Sequence, residues 1–481
     1  MTPISIENTI FAREQLTAAV FVLAVYLILP TMNFYWDGVL FALNIETAPH
    51  WPALLHANHL IYELPGSLLY HALGRSVRAL YLLQTVNSAC AAIAFYLLSG
   101  IVLRATRSVR AALLLAAFFA FSGTWWRFAT DADAYIPSIT LLIASAALLL
   151  CEKPRVVSAA LLHVGAMLFH QLAIFFLPAA LVVLWRRGRR VQAVLYAALS
   201  GLTTLSAYIA AFRLQSGAFS LSVFRNWITS HAEDVSFSFN LPKNLAISLR
   251  SWVQLFVAGR PSLVRYFDPL TIVLLVACVA ALICLAIALY RRTRLRIAIH
   301  DRTLFLFAMA WIASYVLFLF FWLPNNTFYK LFALPAVILL IASCWTPGAN
   351  PSIRGAALPF VALLALSNLT FAIVPYSKPT ANEAVAFALG LKNHLASGTN
   401  VYFWSFNTDD WFARYFNPQT NWQQAGPAAS IGDGWLETTA IDHFSQTDPG
   451  WLKERTQNSE WCELVNARHR IRFVRLQPGH H

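Results

Sequence analysis

Apolar blocks of about 20 residues, separated by short basic connections, recur along this chain from near Gln15 to near Pro375. A helix rises about 1.5 Å per residue, so such a block covers the roughly 30 Å of hydrocarbon in a bilayer. A water-solvated fold has no interior for so many of them. With 58% hydrophobic and 12% charged residues in 481, the apolar surface exceeds what a soluble core buries. The blocks therefore read as membrane spans near 15–32, 78–101, 110–126, 135–151, 156–169, 171–185, 191–212, 270–290, 303–322, 329–345 and 355–375, about eleven in all. The first follows a polar start and lacks a small-residue cleavage site, so it is expected to be a retained helix and not a removed signal peptide.

The formal charge of +13 raises the question of nucleic acid, but the basic residues cluster between apolar blocks and no nucleic-acid motif accompanies them. Topology explains them. With the N-terminus in the cytoplasm, the inner connections hold Arg104, Arg107 and Arg110, then Lys153 and Arg155, then 186–190, then 291–296, then Arg354. Each is basic, as the positive-inside rule requires. The stretch 157–185 has basic residues at both ends. One long helix there would put 291–296 outside, so a hairpin of two short helices turning near His170 and Gln171 is expected. The six cysteines are scattered without a CxxC pair, which indicates neither a disulfide framework nor a zinc site by spacing. There is no internal repeat and no low-complexity linker.

Four regions then face outward: 33–77, 127–134, 213–269 and the tail from Tyr376. The tail has a different composition, with acidic residues concentrated in it, strand-like runs at 400–406 and 471–475, and a helix-like stretch at 381–394. It reads as a small α/β domain, 376–481, following a membrane domain, 1–375. In the first outer segment, Asp37 follows Phe34, Tyr35 and Trp36, and a second run carries His56, His59 and Glu63. Leu60, Leu64 and Leu68 repeat at four, as do His59, Glu63 and Ser67, the pattern of an interfacial amphipathic helix. A carboxylate just past a span can be a solvated helix end, but the aromatic setting of Asp37 favours burial and function. If the segment is helical, Glu46 lies about 180° from Asp37, so the two do not form a pair.

The second outward turn holds Arg127, Asp131 and Asp133. Asp133 is suited to cap the next helix, with Pro137 in its first turn, whereas Asp131 is not needed for a cap. His170 is either a neutral turn residue or a contact for phosphate or acceptor below the outer surface. His163 reads as packing. The segment 213–269 is expected to be a long loop in which Arg213, Arg225, Lys243, Arg250, Arg260 and Arg265 interleave with aromatic residues, either a chance excess of charge that long loops tolerate or a cradle for an anionic head group. The run 322–330 reads as a helix-ending turn, with sugar-hydroxyl binding as the alternative.

Taken in order, Asp37 after the first span, the run through Glu63, Leu64 and Pro65, the Asp131/Asp133 turn and the hairpin before Arg186 resemble the GT-C glycosyltransferases. The resemblance is strongest to the protein O-mannosyltransferase and aminoarabinose-transferase branch. It covers roughly 10–190 by motif and the rest by architecture. It implies an all-α polytopic GT-C-like fold and an inverting enzyme of a bacterial inner membrane, with its active site facing the periplasm. Such an enzyme moves a sugar from a polyprenyl-phosphate donor to a lipid, glycan or protein acceptor. The first-loop acid of the family, the general base, corresponds to Asp37; the second-loop acid to Asp131 or Asp133; the basic residue at the hairpin tip to His170. His59, Glu63, Arg127, Arg225, Arg250, Arg260 and Arg265 are expected to contact substrate. Where the family often has a second acid beside the first, Gly38 stands here, so the metal dependence stays open; no other cofactor is implied. The competing readings are a transporter or lipid flippase and a noncatalytic scaffold. Against the first, the carboxylates gather at one surface instead of the midplane.

Overall fold

The computed structural model describes residues 3–229, 237–258, 267–293, 298–345, 351–405 and 408–478. The chain divides into two compact units, one made of Met1–Pro30 with Ala48–Pro375 and the other of Thr31–Thr47 with Tyr376–His481. The short segment 31–47 therefore groups with the C-terminal residues and not with the helices that flank it.

The first unit is helical. Six of its described helices are long and apolar enough to cross a bilayer: Phe11–Ile28, Ala79–Thr106, Arg190–Ser216, Pro269–Arg291, Arg302–Trp322 and Gly355–Tyr376. A seventh crossing requires Val109–Ala120 and Gly123–Ala129 to act together across a 71° bend. Four further expected spans are shorter apolar helices, Tyr135–Leu149, Val156–Phe169, Gln171–Arg186 and Tyr329–Ser343. The 14 residues of Val156–Phe169 rise only about 21 Å, less than the hydrocarbon thickness.

The 157–185 region is a hairpin. The Arg187 guanidinium, just past its second helix, donates to the carbonyl of Leu149 at 3.0 Å and that of Leu150 at 3.2 Å, at the end of the preceding helix. The Arg155 amide, at the start of the first arm, donates to Leu148 at 3.3 Å. Both basic ends thus lie together, and the guanidinium satisfies carbonyls that a helix C-terminus leaves without partners. At the far end, His170 turns the chain in an extended conformation into the 3-10 turn Gln171–Phe176.

The expected long loop at 213–269 is replaced over its described part by the end of helix Arg190–Ser216 and two amphipathic helices, Leu221–Thr229 and Leu241–Phe256. The second is inside out: Asn244, Ser248 and Ser251 are buried, while Leu245, Leu249 and Val253 are exposed. Small polar groups face protein and leucines face outward, the arrangement of a helix solvated by lipid. Helix Glu63–Ala72 does the same, with Glu63 and Gly66 inside and Leu68 73% exposed.

The second unit carries a five-stranded sheet of β1 (Asn400–Phe403), β2 (Asn421–Gln424), β3 (Trp435–Glu437), β4 (Trp461–Val465) and β5 (Arg470–Arg475), in the order β2-β1-β3-β5-β4. The strands β2, β1 and β3 are parallel, and β5 pairs antiparallel with β3 and β4. Helix Thr408–Phe416 makes the crossover from β1 to β2. Its outer neighbour is helix Trp36–Thr47, with the Trp36 and Trp411 rings 5.5 Å apart and those of Phe34 and Phe416 6.1 Å apart. Tyr402, Leu436, Ile441, Phe444 and Val474 form a core under the sheet.

Candidate active site

In the first unit the acid turn is held by side chains from the first third of helix Ala79–Thr106. The Asn87 amide donates to the backbone carbonyls of both Asp131 and Asp133 at 2.7 Å. Gln84 donates to Thr130 at 2.8 Å, and Ser88 to Ala129 at 2.9 Å. Consecutive turns of one helix thus hold four carbonyls between Ala129 and Asp133, which is how a stretch without regular structure stays buried. Asp131 and Asp133 are both 0% exposed. Each carboxylate accepts the next residue's amide, Asp131 from Ala132 at 2.8 Å and Asp133 from Ala134 at 2.7 Å. The cap expected of Asp133 is not formed: the N-cap of helix Tyr135–Leu149 is Ala134, with no side-chain bond.

The Tyr62 hydroxyl donates to the Asn87 side-chain oxygen, Oδ1, at 3.4 Å. Burial, reinforced by Asp133 and Asp131, pushes this phenol well above its usual range. A neutral donor is therefore fixed beside the acid turn. Glu63, the next residue, is buried at the start of its helix.

Histidines and aromatic rings line the same end. The loop 56–59 is tied to the hairpin tip by Gln171, whose side chain donates to Ala57 at 2.9 Å and whose amide donates to Asn58 at 3.3 Å. This brings the His59 ring to 4.7 Å from His170, edge to face, and 5.9 Å from His56. Tyr135 lies 5.0 Å from His170 and 5.8 Å from Tyr329, ring to ring. The His170 Nδ1 accepts the Leu172 amide at 3.1 Å, which leaves the ring proton on Nε2. His170 in this arrangement is a neutral donor, not a fixed cation. His163 is a packing residue, bonded to the Ala173 carbonyl at 2.9 Å and the Tyr196 hydroxyl at 3.0 Å.

A buried cation stands nearby. Lys330 is 2% exposed, donates to the Pro324 carbonyl at 2.7 Å and contacts the Ser251 hydroxyl. The run 322–330 is a turn at this point, with the Asn326 side chain accepting the Tyr329 amide at 2.9 Å. Arg127 is half-buried, its guanidinium 5.3 Å from the neighbouring Phe128 ring. Arg225 and Arg250 are exposed on the two amphipathic helices, whereas Arg260 and Arg265 lie outside the described residues.

Asp37 belongs to the second unit, in the first turn of helix Trp36–Thr47, and is half-buried. The segment is helical as the phase argument assumed. Glu46 accepts the Tyr415 hydroxyl at 2.9 Å and so serves packing within that unit. Asp131, Asp133, His59, Glu63 and His170 belong to the first unit. Sequence reasoning did not single out Asn87, Tyr62 or Tyr135, and it weighed Tyr329 and Lys330 only within the run 322–330, as a helix-ending turn or a sugar-hydroxyl contact. Their signal was polarity or charge inside apolar runs.

No protein-family model matches the chain, and no curated protein matches it significantly. Among solved structures it is similar to ArnT from Cupriavidus metallidurans bound to undecaprenyl phosphate, at a TM-score of 0.60 and 13% identity over 96% of this chain and 97% of that one. The apo state of the same ArnT superimposes at 0.59 and 12% identity over 97% and 98%. The resemblance to the GT-C glycosyltransferases read from the motifs is thus one of fold, and it spans nearly the full length of both chains.

Proposed function

We propose that the chain is an inverting membrane glycosyltransferase that moves a sugar from a polyprenyl-phosphate donor to an extracytoplasmic acceptor, with Asp37 as general base. The observation that carries this reading is where the polar groups lie: buried acids, histidines, tyrosines and a lysine gather where helices of the first unit end, not at mid-span. A transporter distributes such groups near the midplane. The shared fold with ArnT supplies the substrate class by analogy. On this reading all eleven apolar segments enter the bilayer from an inner-membrane chain, with the site and the C-terminal domain on the periplasmic side.

Asp37 takes the proton from an acceptor hydroxyl or amine. The acceptor atom bonds to the anomeric carbon from the face opposite the phosphate, while the sugar–phosphate bond breaks and its electrons leave on the phosphate oxygen. The leaving phosphate needs cations and donors, for which Lys330, the neutral His170 N–H and the arginines of 213–269 are the candidates. Asp131 and Asp133 would hold the acceptor or a divalent metal; two acids in one turn are suitable oxygen ligands.

Comparative mass spectrometry of envelope glycans and lipids from cells with and without the chain identifies the product. Transfer is then measured with purified protein in liposomes. Asp37→Asn is expected to abolish transfer with insertion unchanged, and transfer retained by that variant would remove Asp37 from the base role. Donor lipid crossing the bilayer without being consumed overturns the enzyme reading itself.

A further inference from the structure

The second unit contains a cluster of side chains of metal-ligating type that the proposed transfer does not use. His394 ends the short helical stretch before β1, and its Nδ1 lies 2.7 Å from Glu460 Oε1. Glu460 immediately precedes β4, and Cys462 lies within it. Residues two apart on a strand project from the same face, so the Glu460 carboxylate and the Cys462 thiol are neighbours along the strand. The ligand atoms of all three side chains lie within 4.8 Å of one another.

The exposed His394–Glu460 contact taken alone is an ordinary surface pair that contributes little. The thiol distinguishes it. Cys90, Cys278 and Cys284 lie inside apolar helices, and Cys151 and Cys344 just beyond the ends of two others; Cys462 alone among the six is in the sheet-bearing unit, as a free thiol. Nitrogen, oxygen and sulfur donors together suit a borderline-soft cation and not magnesium or calcium. Around zinc, ligand atoms at about 2.0–2.3 Å from the metal stand roughly 3.3–3.6 Å from one another in a tetrahedron. To reach that spacing, His394 and Glu460 have to part slightly from 2.7 Å and the sulfur has to move in from within 4.8 Å.

We infer that His394, Glu460 and Cys462 form a site for a zinc-class divalent cation that ties the turn before β1 to the start of strand β4. Three protein ligands leave the fourth position to water. The sequence spacing rule misses the site because His394 lies 66 residues from Glu460. The inference does not depend on the proposed transfer reaction.

Full-length protein in detergent, stripped with a chelator, is titrated with cobalt(II) and then zinc. The expected result is one equivalent bound with a thiolate-to-cobalt charge-transfer band, lost in Cys462→Ser. His394→Ala and Glu460→Gln should each weaken zinc binding at least about tenfold. The last two substitutions lie at exposed positions and keep the test valid should the buried Cys462→Ser variant not fold. Absence of stoichiometric binding, cobalt bound without the thiolate band, or affinity unchanged in His394→Ala and Glu460→Gln overturns the assignment. Metal held at the acid turn would survive all three substitutions and is thereby told apart.

Discussion

Asn87 sits in the third turn of an apolar helix, and its amide reaches across the packing to two carbonyls of the acid turn at 2.7 Å. Replacing it with alanine leaves two buried carbonyls without that donor, a loss of about 2–6 kcal/mol at 1–3 per group. Asn87→Ala is therefore expected to lower the thermal midpoint and to reduce transfer together, because the carboxylates move with their backbone. Unchanged stability would mean that the turn is held by other contacts. Lys330 presents the complementary case. In Lys330→Met the stem is kept and the charge removed, so a charged hydrogen bond of about 1.5–3 kcal/mol to a phosphate would vanish, roughly a 10- to 150-fold rise in KM for the lipid donor. A silent Lys330→Met variant assigns the lysine to packing. Asp37, Asp131, Asp133 and His170 were conspicuous as candidates because polar residues at the ends of apolar blocks stand out. Asn87 and Lys330 were less so, since a polar residue inside an apolar run announces a partner without saying which.

The bend between helices Val109–Ala120 and Gly123–Ala129 depends on close approach. A side chain at Gly123 would collide with the backbone and Cβ of Ala258. The opened Phe121 carbonyl is satisfied by Asn368, which also donates to Phe256, while Thr124 donates to Gln254 at 2.9 Å. The acid turn thus starts from a bent helix clamped onto helix Leu241–Phe256. Gly123→Ala has to push these backbones apart, at about 1–3 kcal/mol for an overpacked contact, and should show as a lower unfolding midpoint. At this scale the apolar segments were read from hydropathy with few errors of position. The helices within 213–269 were not, because in lipid the usual test inverts: leucines at helical spacing face outward and serines inward. A pattern sought as an apolar core face is then mistaken for an irregular loop carrying arginines.

At the scale of the molecule, hydropathy and charge gave the order of the helices but not the grouping of 31–47 with the C-terminal residues, since that depends on contacts such as Trp36 with Trp411 that are distant in sequence. Length alone would also have misjudged the hairpin. The two arms from Val156 to Arg186 together have the residues for one long tilted span, and only the positive-inside rule argued for a turn. The Arg187 bonds to Leu149 and Leu150 provide the physical reason, because they hold both ends of the hairpin at one side. Single cysteines in a cysteine-free background test the topology that follows. Lys153→Cys and Arg190→Cys should react with a membrane-impermeant maleimide only after permeabilisation, whereas Ser397→Cys, on the exposed surface of the C-terminal unit, should react in intact spheroplasts. Labelling of positions 153 and 190 from opposite sides would require one continuous helix and break the Arg187 contacts. Labelling of both from outside would invert the chain and leave the basic connections on the side where the membrane potential and the anionic leaflet disfavour them.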